Sequence, residues 1–367
     1  MKRILYIQNQ FGLGGINKIT SVKEGYLVNH GFEVHNLNVQ DSDGLPPEGM
    51  YDERIILHDI KLKTLEQLQN VPVIGRLLRF VYYRYELLTT ILSVNPDWII
   101  VTMPILEPAS VVWLTCWKKR VMEFHGWYNP PSPRRYSLGE RLSFRLKYPF
   151  YHIVALTQGE ADKLRRITGN NVVVTPNPQF VETTLVSDCN NKRVITLARF
   201  SPPKNLPAFL PAWKRVEQIH PDWQLHIYGE GPDEPKMQEI ICREQLNTVY
   251  IHPYTRNSEQ ELAKSSIYIL PSNFEGFPLV LIESMAVGVP CVSYDCPFGP
   301  AAIIRDGEDG YLTENGDPDA MVDKILYLIE HDDVRKEMGR KARMNITRFD
   351  IDKIMQKWMD LFDGKGK

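Results

Sequence analysis

The chain has 367 residues, of which 43% are hydrophobic and 24% are charged, and its formal net charge is −2. This composition is typical of a globular protein long enough for two domains. The near-neutral charge provides no global field for a polyanion, so nucleic acid is a poor default partner.

The N-terminus and the cysteines indicate a cytoplasmic protein. The apolar run at residues 4–7 is too short for a signal peptide and suits a buried strand. No run of 18 apolar residues occurs, so we expect no transmembrane helix. The five cysteines are odd in number and lack a CxxC spacing, which argues against a disulfide framework and a structural zinc site.

Short apolar segments alternate with helical patterns along the chain. The predicted strands form two series: 3–8, 33–38, 98–102, 120–124, 152–156 and 172–175, then 193–197, 224–228, 249–252, 267–270 and 291–294. This alternation predicts two parallel sheets that are covered by helices on both faces. A polar segment separates the series, so we expect domains at 1–185 and 186–349 and a final helix at about 350–367.

The first predicted strand is followed by a glycine-rich loop at residues 12–15. Glycines allow backbone N–H groups to approach an anion at a helix N-terminus, which makes Gly14 and Gly15 candidates for phosphate contact. The spacing is not GxGxxG and no acidic residue ends the second strand, so a dinucleotide fingerprint is incomplete. A tight strand-to-helix turn explains the loop equally well.

A histidine follows the strand predicted at 120–124. His125 lies in the sequence Glu-Phe-His-Gly, at the end of a parallel strand where ligands of such sheets bind. Its imidazole could act on a proton or a hydroxyl group. The alternative is a structural histidine held by hydrogen bonds.

Two cations flank a proline-stiffened turn after the first strand of the second series. Arg199 offers a planar fork of donors and Lys204 a point charge, a combination that suits a diphosphate. A leaving diphosphate needs its charge balanced, and the sequence contains no carboxylate cluster for magnesium. The alternative is a solvated basic loop.

Residues 271–288 form the most informative stretch. Pro278 can begin a helix and Gly288 can end it. Glu275 then precedes the helix, whereas Glu283 interrupts its apolar face, where a buried carboxylate needs a partner. Paired carboxylates accept hydrogen bonds from sugar and ribose hydroxyls. The alternative is a capped helix with a surface glutamate.

Together these stretches resemble family four of the retaining glycosyltransferases, over nearly the whole chain and most strongly at residues 193–312. The resemblance implies an α/β fold of the GT-B type, with two facing Rossmann-like domains and a cleft between them. The N-terminal domain would bind the acceptor and the C-terminal domain the nucleotide-sugar donor. The final helix would cross back onto the first domain.

The resemblance also implies roles for the donor-binding residues. Arg199 and Lys204 would hold the donor diphosphate, assisted by Gly14 and Gly15. Glu283 would accept the ribose hydroxyls.

The same resemblance places further residues around the sugar and the base. Glu275 would contact the hydroxyls of the donor sugar, His125 would face the reacting sugar, and Tyr254 would lie in the loop that frames the base. The backbone next to Glu275 would also line the donor site, at Gly276, Phe277, Pro278 and Leu279.

The predicted reaction transfers a hexose or N-acetylhexosamine with retention to a saccharide acceptor, in the synthesis of a cell-surface polysaccharide or lipopolysaccharide. The nucleotide sugar is a co-substrate, and no metal or other cofactor is expected. Residues 296–300, with the pattern Cys-Pro-x-Gly-Pro, resemble the corresponding stretch of family members that use UDP-hexoses. In family members that share this stretch, Ser-Glu often follows it, whereas this chain has Ala301 and Ala302. We therefore expect a local hydrogen bond of those members to be missing here.

A basic and aromatic stretch at residues 134–151, with further basic residues at 76–79 and 117–120, suits an anionic membrane surface. It would place the enzyme peripherally at the inner face of the cell membrane and favour a lipid-linked acceptor. An ordinary surface or interdomain helix fits the stretch equally well.

Other functions compete with this interpretation. A nucleotide-sugar epimerase shares the GT-B architecture and would consume donor without an acceptor. A non-catalytic scaffold would lack Glu275, Glu283, Arg199 or Lys204, and all four are present. The broken glycine fingerprint disfavours an NAD dehydrogenase, and the lysine and length of a phosphorylase are not evident.

Overall fold

The computed structural model describes residues 1–9, 14–39, 49–60, 72–103, 106–126, 142, 145–181 and 183–365. It divides into a first unit of Met1–Thr175 with Met355–Lys367 and a second unit of Pro176–Ile354. The division therefore precedes the boundary expected after residue 185. The segment after Pro176 belongs to the second unit because Gln179 N donates to Phe349 O (2.6 Å) and Ser187 N donates to Val287 O (2.8 Å).

The described strands of the first unit form one parallel sheet in the order β3-β2-β1-β4-β5-β6-β7. Their bounds are β1 (Arg3–Gln8), β2 (Glu33–Asn38), β3 (Ile56–Asp59), β4 (Trp98–Val101), β5 (Lys119–Glu123), β6 (His152–Ala155) and β7 (Val172–Val174). The central strands β1 and β4 are apolar and buried, as expected of a sheet covered on both faces. Strand β3 was not predicted because it is a short edge strand that is only partly buried.

Helices connect these strands. They are α1 (Gly15–Asn29), α2 (Pro72–Val94), α3 (Ala109–Leu114) and α4 (Gln158–Thr168). The bounds of α4 follow from its sequence. The Thr157 side chain accepts a hydrogen bond from Glu160 N at the start, and Gly169 ends the helix in the left-handed conformation (φ 71°).

The described strands of the second unit form a parallel sheet in the order β10-β9-β8-β11-β12-β13. Their bounds are β8 (Arg193–Leu197), β9 (Gln224–Tyr228), β10 (Val249–His252), β11 (Ile267–Leu270), β12 (Cys291–Tyr294) and β13 (Gly310–Thr313). Strand β13 was not predicted, because its four residues begin with glycine and carry little apolar signal. Two parallel α/β sheets thus confirm the predicted fold class.

The helices of the second unit are α5 (Leu206–Ile219), α6 (Glu234–Arg243), α7 (Ser258–Ala263), α8 (Leu279–Ala286), α9 (Pro300–Ile303), α10 (Pro318–Glu330) and α11 (Asp332–Asn345). The hydrophobic core lies between the sheet and helices that include α5 and α10, where Phe209, Trp213 and Ile325 are fully buried. None of the described helices of the chain combines the length and apolarity needed to cross a membrane.

The final helix, α12 (Ile351–Phe362), begins in the second unit, and its residues from Met355 onward belong to the first. Trp358 is buried, and Phe362 packs against Phe32 and Trp98. Beyond the helix, Asp363 Oδ1 accepts a hydrogen bond from Lys2 Nζ at 2.7 Å. The two ends of the chain therefore pair within one unit.

Candidate functional site

In the second unit, a proline-rich turn fixes the backbone of Lys204. Residues Pro202–Lys204 form a 3-10 turn after β8, and Lys204 N donates to Ser201 O at 2.9 Å. Asn205 follows in the left-handed region (φ 56°) and begins α5. The predicted turn is thus present, with its lysine beside the end of a strand.

The structure brings Lys204 together with Glu275. Lys204 Nζ donates to Glu275 Oε1 at 2.6 Å, and the two side chains are 26% and 10% exposed. The loops that carry them are also joined, because Asn273 N donates to Pro203 O at 3.0 Å. Two of the residues that the sequence predicts for the donor site therefore form an ion pair.

Arg199 lies in a segment held by backbone bonds on both sides. Ala198 N donates to Tyr228 O at 3.0 Å and Phe200 N donates to Glu230 O at 2.8 Å. The Arg199 side chain is exposed, and no described carboxylate lies within the 4 Å of an ion pair from it. Its guanidinium donors can therefore meet an anion from solvent.

Two glycines make this close backbone pairing possible. A Cβ atom at Gly229 would lie 1.9 Å from Ala198 O, and one at Gly231 would lie 2.3 Å from Phe200 O. Both residues also have a positive φ, of 150° and 149°. Glycine is therefore required at both positions, which hold the backbone around Arg199.

Helix α8 begins directly after the Glu275 loop. Pro278 is its N-cap residue, and Gly288, with a φ of 82°, follows its end, as the sequence pattern predicts. Glu283 is only 7% exposed within the apolar helix and has a polar or charged partner in the structure. Glu283 is thus a largely buried carboxylate rather than a surface one.

One close contact beside Glu275 was not anticipated from the sequence. A Cβ atom at Gly299 would lie 2.8 Å from Pro278 Cδ and 3.0 Å from Gly276 O. Phe298, which forms an isolated bridge with Glu275, has a positive φ of 79°. Only glycine fits at position 299, and the glycine of the Cys-Pro-x-Gly-Pro pattern is the one sequence feature that marks this contact.

The other predicted contacts of the second unit are less defined. Tyr254 follows β10 and is 47% exposed. Phe277 and Pro278 are buried, and Gly276 and Leu279 are partly exposed. Within the described part of the chain, no group of three or more His, Cys, Asp or Glu side chains suits a metal ion.

In the first unit, Gly14 and Gly15 begin α1. Gly14 is the N-cap residue with a φ of −70°, and a Cβ atom there would meet nothing within 4 Å. Neither the backbone conformation of Gly14 nor its described neighbours require glycine at this position. Gly12 and Leu13, of the same predicted loop, lie outside the described residues.

His125 lies just beyond β5 and is almost buried. Its side chain is 4% exposed, and its Nε2 atom lies 3.4 Å from Oε2 of Glu123. The other oxygen of Glu123 is bound by Lys23 of α1, and both of these side chains are fully buried. Burial raises the pKa of Glu123, but Lys23 and His125 outweigh this effect and lower it to about 2.

Glu160 of α4 binds the backbone at the end of β6. Its Oε2 accepts a hydrogen bond from Leu156 N at 3.1 Å, and its Oε1 is buried without a hydrogen-bond partner among the described residues. Burial raises the pKa of Glu160 to about 7, although the backbone N–H of Leu156 lowers it. Glu160 is not among the residues predicted for the site, although Thr-x-x-Glu is a capping-box pattern.

Comparisons with known proteins concern both units. Residues 183–345, in the second unit, match the sequence profile of a family described as glycosyl transferases group 1. A solved structure of HepE from Anabaena, in complex with UDP and glucose, matches 99% of this chain and 100% of its own. Its TM-score is 0.79 at 18% identity. This likeness concerns the fold and confirms the predicted GT-B class of two Rossmann-like domains.

Several curated relatives are similar in sequence. An exopolysaccharide phosphotransferase of Streptomyces coelicolor is 35% identical over 48% of this chain and 19% of its own length. An uncharacterized glycosyltransferase of Haemophilus influenzae is 25% identical over 98% of this chain and 99% of its own. A poly(ribitol-phosphate) α-N-acetylglucosaminyltransferase of Staphylococcus aureus is 29% identical over 58% of this chain and 43% of its own. The chain thus spans less than half of the first and third relatives and nearly all of the second.

Proposed function

We propose that this chain is a member of the family glycosyl transferases group 1, whose profile matches residues 183–345, and that it transfers a hexose or N-acetylhexosamine from a UDP-sugar to a saccharide acceptor, with retention. The second unit would bind the donor and the first unit the acceptor. The observation that carries the proposal is the contact of Lys204 with Glu275, in the segment after β8 that also carries the exposed Arg199.

The chemistry follows from these charges. When the bond from the anomeric carbon to the diphosphate breaks, negative charge develops on the leaving group. Lys204, Arg199 and the N–H groups at the start of α8 would balance that charge. Because Lys204 is bound to Glu275 in the free protein, an incoming diphosphate would take over the lysine. Glu275 could then accept hydrogen bonds from sugar hydroxyls.

The ribose and the sugar would meet other groups of this chain. We assign the ribose hydroxyls to Glu283, the base to the loop of Tyr254, and phosphate support to Gly14 and Gly15. His125 of the first unit would meet a sugar hydroxyl. The acceptor hydroxyl would attack the anomeric carbon from the same face that the diphosphate leaves, which gives retention without a covalent intermediate. The departing phosphate oxygen would take the acceptor proton.

The donor is proposed from two observations. Residues 296–300 resemble members that use UDP-hexoses, and the HepE structure, of the same fold, holds UDP and glucose. The acceptor class rests on relatives named for an exopolysaccharide and for poly(ribitol-phosphate). We therefore place the reaction in the synthesis of a cell-surface polymer.

The first experiment is a panel of UDP- and GDP-sugars, read by thermal shift and then by transfer to oligosaccharide acceptors. We expect a UDP-hexose to raise the melting temperature and to be consumed faster when an acceptor is present. A nucleotide sugar that is converted to its epimer without any acceptor would instead identify an epimerase. No thermal shift and no turnover with any donor would contradict the proposal.

A lipid-linked acceptor is proposed from the surface of the first unit. Residues 134–141 and 143–144 of the basic and aromatic stretch lie outside the described residues. In the described part, large apolar side chains of α2 and α3 and of the turn after α3 are exposed, between 53% and 65%, at Leu77, Phe80, Val81, Trp113, Leu114 and Trp117. Apolar and basic side chains together suit an anionic bilayer surface.

Flotation with vesicles tests this second part. We expect the protein to float with anionic vesicles at low salt and to stay soluble with neutral ones, because basic residues add electrostatic attraction. Protein that remains in the soluble fraction with both would contradict the membrane assignment.

A further inference from the structure

The side chains at the end of β5 alternate between two environments. Met122 and Phe124 belong to the hydrophobic core of the first unit. Glu123 and His125 point to the opposite side, because residues two apart share a face of an extended segment. The Glu123 carboxylate and the His125 imidazole therefore lie on the same side of the sheet.

A cation from α1 completes this group. Lys23 donates a hydrogen bond to Glu123 Oε1, and neither side chain is exposed to solvent. A buried charge is costly unless it is paired, so each of these residues requires the other. On its other side, Lys23 Nζ lies 5.2 Å from the ring centre of Trp358, which α12 supplies.

The arrangement leaves one carboxylate oxygen for the imidazole. Lys23 binds Oε1, and Oε2 lies 3.4 Å from His125 Nε2. This separation does not meet the geometry of a hydrogen bond, and neither atom has another hydrogen-bond partner among the described residues. A ring nitrogen that faces an ionised carboxylate carries the hydrogen atom, which leaves the lone pair on the other nitrogen. The low pKa of Glu123, about 2, means that this carboxylate stays ionised at neutral pH.

We infer that Glu123 is a positioning residue whose charge orients the His125 ring with Nε2–H toward Oε2, with Lys23 fixing the carboxylate, so that Nδ1 is the ring atom offered to a substrate hydroxyl. The inference rests on the proposed function for the nature of that substrate. The placement of the ring and its hydrogen atom rests on the buried contacts alone.

The test is a double variant, Glu123→Gln with Lys23→Met, which removes both buried charges and nearly preserves volume. A single variant would leave one buried charge unpaired and could unfold the protein. Circular dichroism and the melting temperature establish that the double variant folds. Nitrogen-15 NMR of labelled histidines, assigned with His125→Gln, reports which ring nitrogen carries hydrogen.

We expect wild-type His125 to be protonated at Nε2, and the double variant to lose that preference. Loss of the carboxylate partner of a metal-bound histidine typically lowers activity by about 10- to 100-fold, and we expect a loss of the same order for this carboxylate. We expect this loss in kcat, with the donor KM changed less than about twofold, because the second unit is untouched.

A second buried ion pair of the same unit provides the matched control. Arg120 Nε lies 3.2 Å from Glu107 Oε1, and both side chains are fully buried. The double variant Glu107→Gln with Arg120→Met should alter stability but neither the His125 tautomer nor kcat beyond about twofold.

The inference is overturned if the folded Glu123→Gln, Lys23→Met protein keeps the wild-type tautomer, or if the control pair changes the tautomer equally. The tautomer measurement needs no substrate. Failure of the wild-type protein to transfer any sugar would therefore contradict the proposed function separately.

Discussion

At the residue scale, the pairing of Lys204 with Glu275 affects how any variant of either residue is interpreted. The two charges are only 26% and 10% exposed, so their attraction is less screened than that of a surface pair. Removal of Lys204 leaves Glu275 without this cation and also removes a proposed diphosphate ligand. Activity must therefore be compared with stability in the same variant.

We predict that Lys204→Ala lowers kcat by about 100-fold or more, because the leaving diphosphate loses a positive charge in the transition state. Lys192→Ala is the control, since Lys192 lies in the same unit and pairs with Asp222 at the surface; its activity should stay within about twofold. Steady-state kinetics with the best donor measure both. Wild-type turnover by a folded Lys204→Ala protein would refute the diphosphate assignment.

Glu160 leads to a prediction on pH and stability. Its pKa is raised from an ordinary value of 4.5 to about 7. A raised pKa means that the folded protein prefers the protonated acid. The associated stability is therefore fully present below pH 4.5 and is lost as the pH rises through 7.

We expect the free energy of unfolding of the wild type, relative to Glu160→Gln, to fall by about 2 kcal/mol between pH 5 and pH 8. Glutamine can keep the capping contact with the backbone but does not titrate. Urea unfolding at both pH values measures the difference, with Glu239→Gln on the exposed side of α6 as control. A pH-independent difference would show that Glu160 is ionised in the folded protein.

At the element scale, two glycines set the approach of α11 to the end of α8. A Cβ atom at Gly339, within α11, would lie 2.2 Å from Gly288 O and 3.2 Å from Cys189 Sγ. A helix residue can approach a backbone carbonyl this closely only if it lacks a side chain. The contact supports α8, which carries Glu283.

We predict that Gly339→Ala destabilises the second unit by about 1–3 kcal/mol, as overpacking typically does. Gly25→Ala in α1 is the matched control, because a Cβ atom there meets nothing within 4 Å. That change should be neutral or stabilise by up to about 1 kcal/mol through helix propensity. Thermal unfolding measures both, and equal effects of the two substitutions would contradict the close contact.

At the scale of the whole molecule, the first unit is discontinuous in sequence. Its sheet is built from residues before Thr175, whereas residues from Met355 onward supply buried aromatic side chains. Trp358 is 1% exposed and Phe362 is 2% exposed. Loss of a buried Trp or Phe side chain typically costs about 3–5 kcal/mol. The second unit, in contrast, is one continuous segment.

We therefore predict that truncation after Ile354 lowers the melting temperature of the first unit and leaves that of the second within about 2 °C. Calorimetry of the full and truncated chains measures both transitions. A peptide of residues 351–365 should restore the lost stability in trans, and the same peptide with Trp358→Ala and Phe362→Ala should not. A truncated chain with unchanged transitions would contradict the packing of α12.

The fold was largely predictable because buried parallel strands carry uninterrupted apolar runs. Strands β3 and β13 were not predicted, because these two edge strands are short and only partly apolar. Lys204 and Glu275 were predictable as candidates, but their contact was not, because it depends on loops that join different strands. Lys23 acquires meaning only from neighbours distant in sequence. Glu160 and Gly299 lie in recognisable local patterns, a capping box and Cys-Pro-x-Gly-Pro, but those patterns do not reveal burial or the close contacts.

The split first unit has a consequence for synthesis. A ribosome makes its sheet early but delivers Trp358 only after all of residues 176–354. At roughly 5–20 residues per second, the wait lasts on the order of ten to forty seconds. During that time the surface that α12 will cover, beside Trp98 and Phe32, is open to other hydrophobic chains. A chaperone that binds nascent chains could bind this apolar surface. A product of translation that stops before α12 would expose the same surface permanently.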